Sequence, residues 1–299
     1  MAEARPIAAL LYDFDKTLCT TDMQNYAFIP GLGLMPGEFW SQVNAFGRAN
    51  RMEGVLAYMY RMVRESQSRN VPFTRRDLVE KGREIVFFPG IPEWFDRVNG
   101  YGEELGVTVE HYVISSGLRE IIEGSGIAPC FREVFASEFY YDPSGRPVWP
   151  KLAVNFTAKT QFVYRINKGV LDISEEKALN DSMPDEGKRV PFRNMIYIGD
   201  GLSDVPCMKM MRAYGGIAVA VWQEAGPTGA GNRAGVEELL SRGRADFIFP
   251  ADYREGTGLD RTVRDILGSI AVADRLNREH GRQQRGVGQW EMPGQAGLF

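Results

Sequence analysis

The sequence has little cysteine and even less histidine, which narrows the kinds of site that it can build. Its 299 residues include three cysteines, Cys19, Cys130 and Cys207, and two histidines. The cysteines are scattered, odd in number and form no CxxC pair, so neither a disulfide framework nor a zinc site is supported. Two histidines nearly exclude a metal centre built from several imidazoles. We therefore expect reduced thiols, as in a cytoplasmic protein.

Long hydrophobic runs and an excess of basic residues are also missing. No apolar stretch approaches the length of about 18 residues that a membrane helix needs, and the N-terminal segment lacks the features of a secretory signal. Lys and Arg number 35 against 39 Asp and Glu, for a net charge of -4. Nucleic-acid-binding modules usually carry a basic excess. We expect a cytoplasmic protein that binds neither nucleic acid nor a membrane.

The composition that is present belongs to a folded protein. Apolar residues make up 44% and charged residues 25% of the chain, which disfavours disorder of the whole. The length alone predicts about two domains.

Short apolar segments alternate with helical patterns along most of the chain. The first, residues 7–14, is apolar on both faces, as in a buried parallel strand. This alternation predicts an α/β fold with a doubly wound parallel sheet covered by helices on both faces. A turn sequence at residues 142–145 predicts one hairpin. Further strands are predicted at residues 107–115, 131–137, 194–199, 216–221 and 246–249.

Residues 19–88 interrupt the alternation. They are rich in Met, Arg and aromatic residues at helical spacing and have little strand pattern. We predict a helical insertion after the first strand, so that residues 1–18 and 89–278 form the α/β core. Residues 279–299, rich in Gln, Gly and Arg, are predicted to be a flexible C-terminal tail or an arm that docks on a partner subunit.

Two carboxylates follow the first predicted strand, in the sequence DFDKT at residues 13–17. Because strand side chains alternate between faces, Asp13 and Asp15 point the same way. They lie at the edge where ligands bind in open α/β sheets, and they repel each other unless a cation or a shared proton intervenes. This motif alone leaves open whether the pair is functional or caps a turn.

Three later segments are predicted to reach the same edge of the sheet. Residues 112–117 (YVISSG) place two hydroxyls ahead of a helix N-terminus, which can bind a phosphate. Residues 167–169 (NKG) place a lysine beside a glycine, and residues 199–204 (GDGLSD) place two more carboxylates after a strand. Convergence of four such segments favours a functional site.

In this order, DFDKT, ISSG, NKG and GDGLSD resemble the four motifs of the haloacid dehalogenase-like hydrolase superfamily, in the branch of the phosphoserine phosphatases. The resemblance covers about residues 7–222. It implies a Rossmann-like core with a small helical cap inserted after the first strand. It also implies a magnesium-dependent phosphatase that hydrolyses a small phosphomonoester through an aspartyl-phosphate intermediate.

The same resemblance implies a role for each acidic residue of the first motif. Asp13 matches the nucleophile, and Asp15 matches the general acid and base, with a pKa expected to lie above that of Asp13. The carboxylates of Asp13 and Asp200 and the backbone carbonyl of Asp15 would hold Mg²⁺, which prefers oxygen ligands.

The remaining motifs imply the phosphate-binding groups. Ser115, or Ser116 as an alternative, would bind the phosphate together with Gly117. Lys168 would supply a positive charge to the phosphoryl oxygens. Asp204 would orient Lys168 or a metal-bound water.

The substrate is expected to be a small phosphorylated metabolite that contacts the inserted helices. Asp22 falls where the family's phosphoserine enzymes carry a glutamate, which leaves serine phosphate in doubt. The polar residues expected to contact substrate are Asp22, Gln24, Tyr26, Arg48 and Arg51.

Two other functions remain open from the sequence, as does the choice between a monomer and a homodimer. The same intermediate would serve a phosphotransferase or mutase, and a non-catalytic relative would bind a phosphorylated ligand. The intact set of Asp13, Asp15, Lys168 and Asp200 favours an enzyme, because a binding role needs no nucleophile.

Overall fold

A computed structural model describes residues 5–71, 73–224 and 231–287. In this part of the chain the strands form one seven-stranded sheet in the order β4-β3-β2-β1-β5-β6-β7. All neighbours pair in parallel except β3 and β4, which form the predicted hairpin. The strands are β1 (Ile7–Tyr12), β2 (Thr108–Leu118), β3 (Glu133–Tyr141), β4 (Pro147–Leu152), β5 (Met195–Gly199), β6 (Ile217–Trp222) and β7 (Phe247–Pro250).

Helices cover both faces of this sheet, which confirms the doubly wound α/β fold predicted from the sequence. The first four lie in the insertion, residues 19–88: α1 (Phe28–Gly31), α2 (Pro36–Asn50), α3 (Gly54–Arg69) and α4 (Arg75–Lys81). The others are α5 (Ile91–Leu105), α6 (Arg119–Glu123), α7 (Lys159–Lys168), α8 (Glu176–Asn180), α9 (Val205–Ala213), α10 (Arg233–Ser241) and α11 (Gly258–Val287).

Strand β1 is buried on both faces, as its continuous apolar sequence requires. Its side chains alternate between two layers of the core: Leu10 and Tyr12 pack in one cluster, and Ala9 and Leu11 pack in the other. The sheet therefore divides the core into two layers, with β1 at its centre. The carboxyl end of β1 opens onto the edge where the acidic residues lie.

The inserted helices are joined to the core by two connections that run side by side. The backbone N–H of Thr20 donates to the carbonyl of Val86 at 3.0 Å, and that of Phe88 donates to the carbonyl of Leu18 at 3.0 Å. The insertion thus leaves and re-enters the core at one place, shortly after β1 and Asp13.

A close backbone contact also ties the insertion to the core. A Cβ placed on Gly124, just after α6, would lie 1.7 Å from the carbonyl oxygen of Val79 in α4. A Cβ on Gly82 would lie 2.1 Å from the carbonyl oxygen of Ile121. Only glycine permits backbones to approach this closely, so α4 is held against α6.

The predicted tail begins inside a helix, which corrects the boundary drawn from the sequence. Helix α11 extends to Val287, so residues 279–287 are helical, and residues 288–299 lie outside the described part of the chain. The misleading signal was composition: arginine and glutamine are common in tails but are also good helix formers. Among the described helices, none is long and apolar enough to cross a membrane.

Candidate active site

Asp13 lies directly after β1, and its carboxylate is buried at the sheet edge. Its backbone N–H continues the sheet pairing by donating to the carbonyl of Ile198 at 2.9 Å. Its Oδ1 accepts a hydrogen bond from Lys159 Nζ at 2.8 Å. Burial raises the pKa of Asp13 to about 6, and the nearby ammonium of Lys159 opposes that rise.

Lys159 is the first residue of α7 and is fully buried. Its Nζ donates to Asp13 Oδ1 and to Asp204 Oδ1, both at 2.8 Å. Burial disfavours the ammonium, but the two carboxylates outweigh that effect, and the pKa of Lys159 lies above its ordinary value. The side chain is therefore a fixed positive charge beside Asp13.

Asp204 contacts Lys159, and both of its carboxylate oxygens also accept hydrogen bonds from other groups. Its Oδ1 also accepts from the hydroxyl of Tyr197 at 2.7 Å. Its Oδ2 accepts from the backbone N–H groups of Asp200 at 3.1 Å and Gly201 at 3.3 Å. A Cβ at Gly199 would lie 2.5 Å from the Asp204 carboxyl carbon, so glycine is required at the turn.

Lys168, expected from the sequence to supply the positive charge, is not part of this site. It ends α7, and its Nζ donates to the backbone carbonyls of Leu179 and Asp181, each at 2.6 Å. It lies nine positions after Lys159, or about 14 Å along a helix. The lysine that contacts Asp13 is at the start of the helix and not at its end. Asp204 accordingly orients Lys159 and makes no contact with Lys168.

A signal for Lys159 was present in the sequence and was missed. Phe162, Val163 and Ile166 follow it at the helical spacings of three, four and seven, and all are buried. A lysine on the apolar face of a helix must find a buried anion, because an unpaired ammonium in the core is very costly.

Asp15 differs from Asp13 in its surroundings. Its Oδ1 accepts from the backbone N–H of Met23 at 2.8 Å. Burial raises the pKa of Asp15 well above its ordinary value, and the carboxylates of Asp22 and Asp13 raise it further. Lys159 is in direct contact with Asp13, whereas the nearest acidic neighbours of Asp15 repel its ionised form. The two carboxyl groups are thus suited to different states of protonation.

Ser115 and Ser116 both line the same pocket as Asp13 and Lys159. The Ser115 hydroxyl accepts from the backbone N–H of Gly117 at 3.0 Å. The Ser116 hydroxyl is buried and has no partner among the described residues. A Cβ at Gly117 would lie 2.2 Å from the end of the Met23 side chain, so the chain passes closely here.

Three carboxylates at this edge of the sheet are close enough together, and of the right chemistry, to bind a divalent cation. Oxygens of Asp13, Asp200 and Asp204 lie within 4.8 Å of one another. Burial raises the pKa of Asp200 well above its ordinary value, and the neighbouring Asp204 and Asp13 add to this. Because both oxygens of Asp204 accept more than one hydrogen bond, Asp13 and Asp200 are the carboxylates better able to bind a cation. Hard oxygen donors of this kind suit Mg²⁺.

The acidic cluster opens into a pocket of about 280 Å³ that is closed in part by the inserted segment. Among the residues of the insertion expected to contact substrate, Asp22 lines this pocket and pairs with Lys16 at 2.8 Å, and Gln24 lines the adjoining cavity.

The other three of those residues lie elsewhere. Tyr26 braces the connection to the core, because its hydroxyl accepts from the Thr21 backbone N–H at 3.0 Å and donates to the Val86 carbonyl at 3.0 Å. Arg48 and Arg51 lie at the end of α2, and neither lines either cavity. The spacing of residues along the insertion did not reveal which of its faces turns toward Asp13.

Comparison with known proteins gives a family for this architecture. A model of the haloacid dehalogenase-like hydrolase family matches residues 10–209. An uncharacterized protein from Borreliella burgdorferi is 28% identical over an alignment of 296 residues. The alignment covers 89% of this chain and 99% of that protein.

Solved structures share the fold at low sequence identity. A substrate-bound phosphoserine phosphatase superposes with a TM-score of 0.53 at 15% identity, over 84% of this chain and 97% of that one. A HAD family hydrolase from Salmonella enterica subsp. enterica serovar Typhi superposes with a TM-score of 0.52 at 14% identity, over 87% of this chain and 71% of that one.

Proposed function

This chain belongs to the haloacid dehalogenase-like hydrolase family, and from this premise we propose that it is a magnesium-dependent phosphatase that hydrolyses a small phosphomonoester through an aspartyl-phosphate. The observation that carries the proposal is the ion pair between Asp13 and Lys159 at the carboxyl end of β1, with Asp15 beside it. A carboxylate held ionised by a buried ammonium is a ready nucleophile.

In the first step, a carboxylate oxygen of Asp13 attacks phosphorus and the bond from phosphorus to the alcohol oxygen breaks. Asp15 gives its proton to the departing alcohol. Its raised pKa suits it to that task, because an acid must be protonated before it can donate. Lys159 stabilises the charge that develops on the phosphoryl oxygens, and the Ser115 and Ser116 hydroxyls are available to bind them.

In the second step, Asp15 has become a carboxylate and takes a proton from water. The water oxygen attacks phosphorus, the bond from phosphorus to Asp13 breaks, and inorganic phosphate leaves with Asp13 restored. Mg²⁺ bound by Asp13 and Asp200, with the backbone carbonyl of Asp15, would neutralise phosphoryl charge throughout. Asp204 keeps Lys159 aligned through both steps.

The segment between β1 and α5 is proposed to act as the cap that covers this pocket. It supplies Asp22 and Gln24 to the cavities, and Met23 contacts both Asp15 and Gly117. A cover of this kind excludes water from the first step and favours transfer from the alcohol.

The test is hydrolysis of p-nitrophenyl phosphate by the purified protein with and without Mg²⁺, followed by acid quenching and mass spectrometry of the peptide that contains Asp13. The proposal requires magnesium-dependent release of phosphate and a phosphoryl group on Asp13. Transfer to an added alcohol in preference to water would instead identify a phosphotransferase. Absence of turnover on any phosphomonoester would contradict the proposed phosphatase activity.

A further inference from the structure

We call the pocket that contains Asp13, Ser115 and Lys159 the phosphate pocket. A second cavity adjoins it and lies under the inserted helices. Its volume is about 620 Å³, and it shares Asp15, Asp22, Ser116 and Phe156 with the pocket that contains Asp13. We call it the leaving-group chamber, because an alcohol bound to phosphorus near Asp13 would extend past Asp15 into this space. Its lining therefore bears on which alcohols the enzyme accepts.

The titratable side chains that line the leaving-group chamber are mainly acidic. Its lining includes the carboxyl groups of Asp15, Asp22 and Glu53, and it includes no lysine, arginine or histidine in the described part of the chain. Lys16, which pairs with Asp22, lines the phosphate pocket and not this chamber. Asp15 is proposed to be protonated when substrate binds, and Asp22 is paired with Lys16. Glu53 is therefore the group that a carboxylate on the leaving group would meet without a compensating cation, which is unfavourable in a partly desolvated space.

Aromatic side chains form another part of the lining. Trp40, Tyr58 and Phe156 face the chamber, and the rings of Trp40 and Tyr58 meet edge to face with centroids 5.9 Å apart. The Tyr58 hydroxyl is engaged with the backbone carbonyl of Ser116 at 2.7 Å, which fixes this ring. Aromatic faces beside carboxylates attract organic cations.

Gln24 provides an independent sign of a ligand with N–H groups. The residue is 2% exposed and lines the chamber, and its side-chain Oε1 has no hydrogen-bond partner in the described residues. A buried amide oxygen without a donor costs free energy, and this cost is removed when a ligand donates to it. An ammonium group is such a donor.

We propose that the leaving-group chamber selects phosphomonoesters of amino alcohols that carry an ammonium group and no carboxylate. This inference rests on the proposed phosphatase function. The ammonium would lie between the Glu53 carboxylate, the Gln24 amide oxygen and the aromatic rings. Phosphate esters of hydroxy acids, and of amino acids such as serine, would be poor substrates because their carboxylate enters an acidic chamber.

The experiment compares phosphoethanolamine with phosphoserine, which differ only by a carboxylate, and includes phosphocholine and p-nitrophenyl phosphate. We expect kcat/KM to be at least about tenfold higher for phosphoethanolamine than for phosphoserine. Equal or higher efficiency with phosphoserine would overturn the inference while turnover of p-nitrophenyl phosphate still upheld the phosphatase. If no ester were hydrolysed, both proposals would fail together.

Two variants test the residues of the chamber. Glu53→Gln removes the negative charge and keeps an oxygen for the Leu56 backbone N–H, which Glu53 now caps at 3.0 Å. It should lower the ratio of kcat/KM for phosphoethanolamine over p-nitrophenyl phosphate by about tenfold. The matched control is Glu38→Gln, an exposed residue of α2, which should leave all ratios unchanged.

The second variant, Asn44→Lys, adds a cation at an exposed position on the chamber lining. It should raise the efficiency with phosphoserine relative to phosphoethanolamine. A gain for one substrate cannot come from misfolding. If the ratio of the two substrates stayed constant in both Glu53→Gln and Asn44→Lys, the chamber would not be the specificity site.

Discussion

Lys159 Nζ lies 2.8 Å from Asp13 Oδ1, and this contact joins the first residue of α7 to the end of β1 across 146 positions of sequence. The same ammonium contacts Asp204, so one buried cation serves two buried carboxylates. An arrangement of this kind is costly to break, because removal of either partner leaves an uncompensated charge in the core.

Replacement of Lys159 should therefore abolish activity, whereas replacement of Lys168 should not. In Lys159→Gln we expect kcat to fall by at least about a hundredfold, since a charge that stabilises the phosphoryl oxygens is lost. In Lys168→Gln we expect near-normal kcat and a loss of roughly 1 kcal/mol of stability, from the bonds to the carbonyls of Leu179 and Asp181. Steady-state kinetics with p-nitrophenyl phosphate measure both.

Because Lys159→Gln leaves Asp13 and Asp204 without their cation, its folding must be checked separately. Lys159→Arg keeps the charge with a different shape, and circular dichroism with thermal unfolding reports whether each variant is folded. A folded Lys159→Gln protein with full activity, or an inactive Lys168→Gln protein with normal stability, would contradict the assignment of the lysine.

The positions of the two lysines show where sequence patterns give a reliable prediction and where they do not. Strand β1 and helix α5 follow from local patterns: a continuous apolar run, and an amphipathic segment ended by Gly106 in the left-handed conformation. The prediction that Asp13 and Asp15 point the same way follows from the alternation of side chains along an extended segment. Each of these depends only on neighbours in sequence.

Lys159 and the leaving-group chamber depend on tertiary packing. The start of α7 is brought to Asp13 by the path of the chain after the β3–β4 hairpin, and no local pattern specifies that path. Likewise one cavity is lined by Gln24, Trp40 and Glu53, which belong to separate parts of the insertion. They line it together only because the helices fold over the sheet edge. The NKG sequence resembled a motif, but its lysine ends the helix.

Asp13→Asn should abolish turnover without unfolding the protein. The amide is a poor nucleophile, so we expect a loss of at least about a thousandfold, or roughly 4 kcal/mol in the barrier. The amide oxygen can still accept from Lys159, which keeps the local packing. Initial rates and thermal unfolding are the measurements. Retention of more than a small fraction of the rate, or a phosphoryl group trapped on another residue, would contradict the role of Asp13.

Asp200→Asn should remove the response of the protein to magnesium. The wild-type protein should gain about 1.4 kcal/mol of stability at a Mg²⁺ concentration ten times the dissociation constant, and the variant should gain almost none. In buffer containing a chelator the variant should be as stable as the wild type or more so, because the buried carboxylate of Asp200 faces Asp204 and Asp13. Thermal unfolding with and without Mg²⁺ measures both effects.

The control for this experiment is Asp265→Asn, which removes an exposed carboxylate of α11. It should leave the magnesium-induced shift intact. An unchanged shift in Asp200→Asn would show that the cation binds elsewhere, and a lower stability of that variant in chelator would show that its carboxylate is not under repulsion.

His111 should make the protein less stable below neutral pH. Its ring is buried, with Nδ1 2.9 Å from the hydroxyl of Tyr12 and Nε2 3.2 Å from Oδ1 of Asn99, and burial lowers its pKa to about 3. The unfolded chain protonates this ring near pH 6.5. Below that pH the unfolded state therefore binds a proton that the folded state does not, and the free energy of unfolding falls as the pH is lowered toward 3.

At pH 5 the loss from this one residue should be about 2 kcal/mol relative to pH 7.5. His111→Gln removes the titrating group and keeps one donor and one acceptor. The stability difference between wild type and variant, measured by urea unfolding, should therefore shrink by about that amount from pH 7.5 to pH 5. His280→Gln, at an exposed position of α11, should show no such change with pH. A difference that stayed constant for His111→Gln would mean that the buried ring accepts a proton in the folded protein.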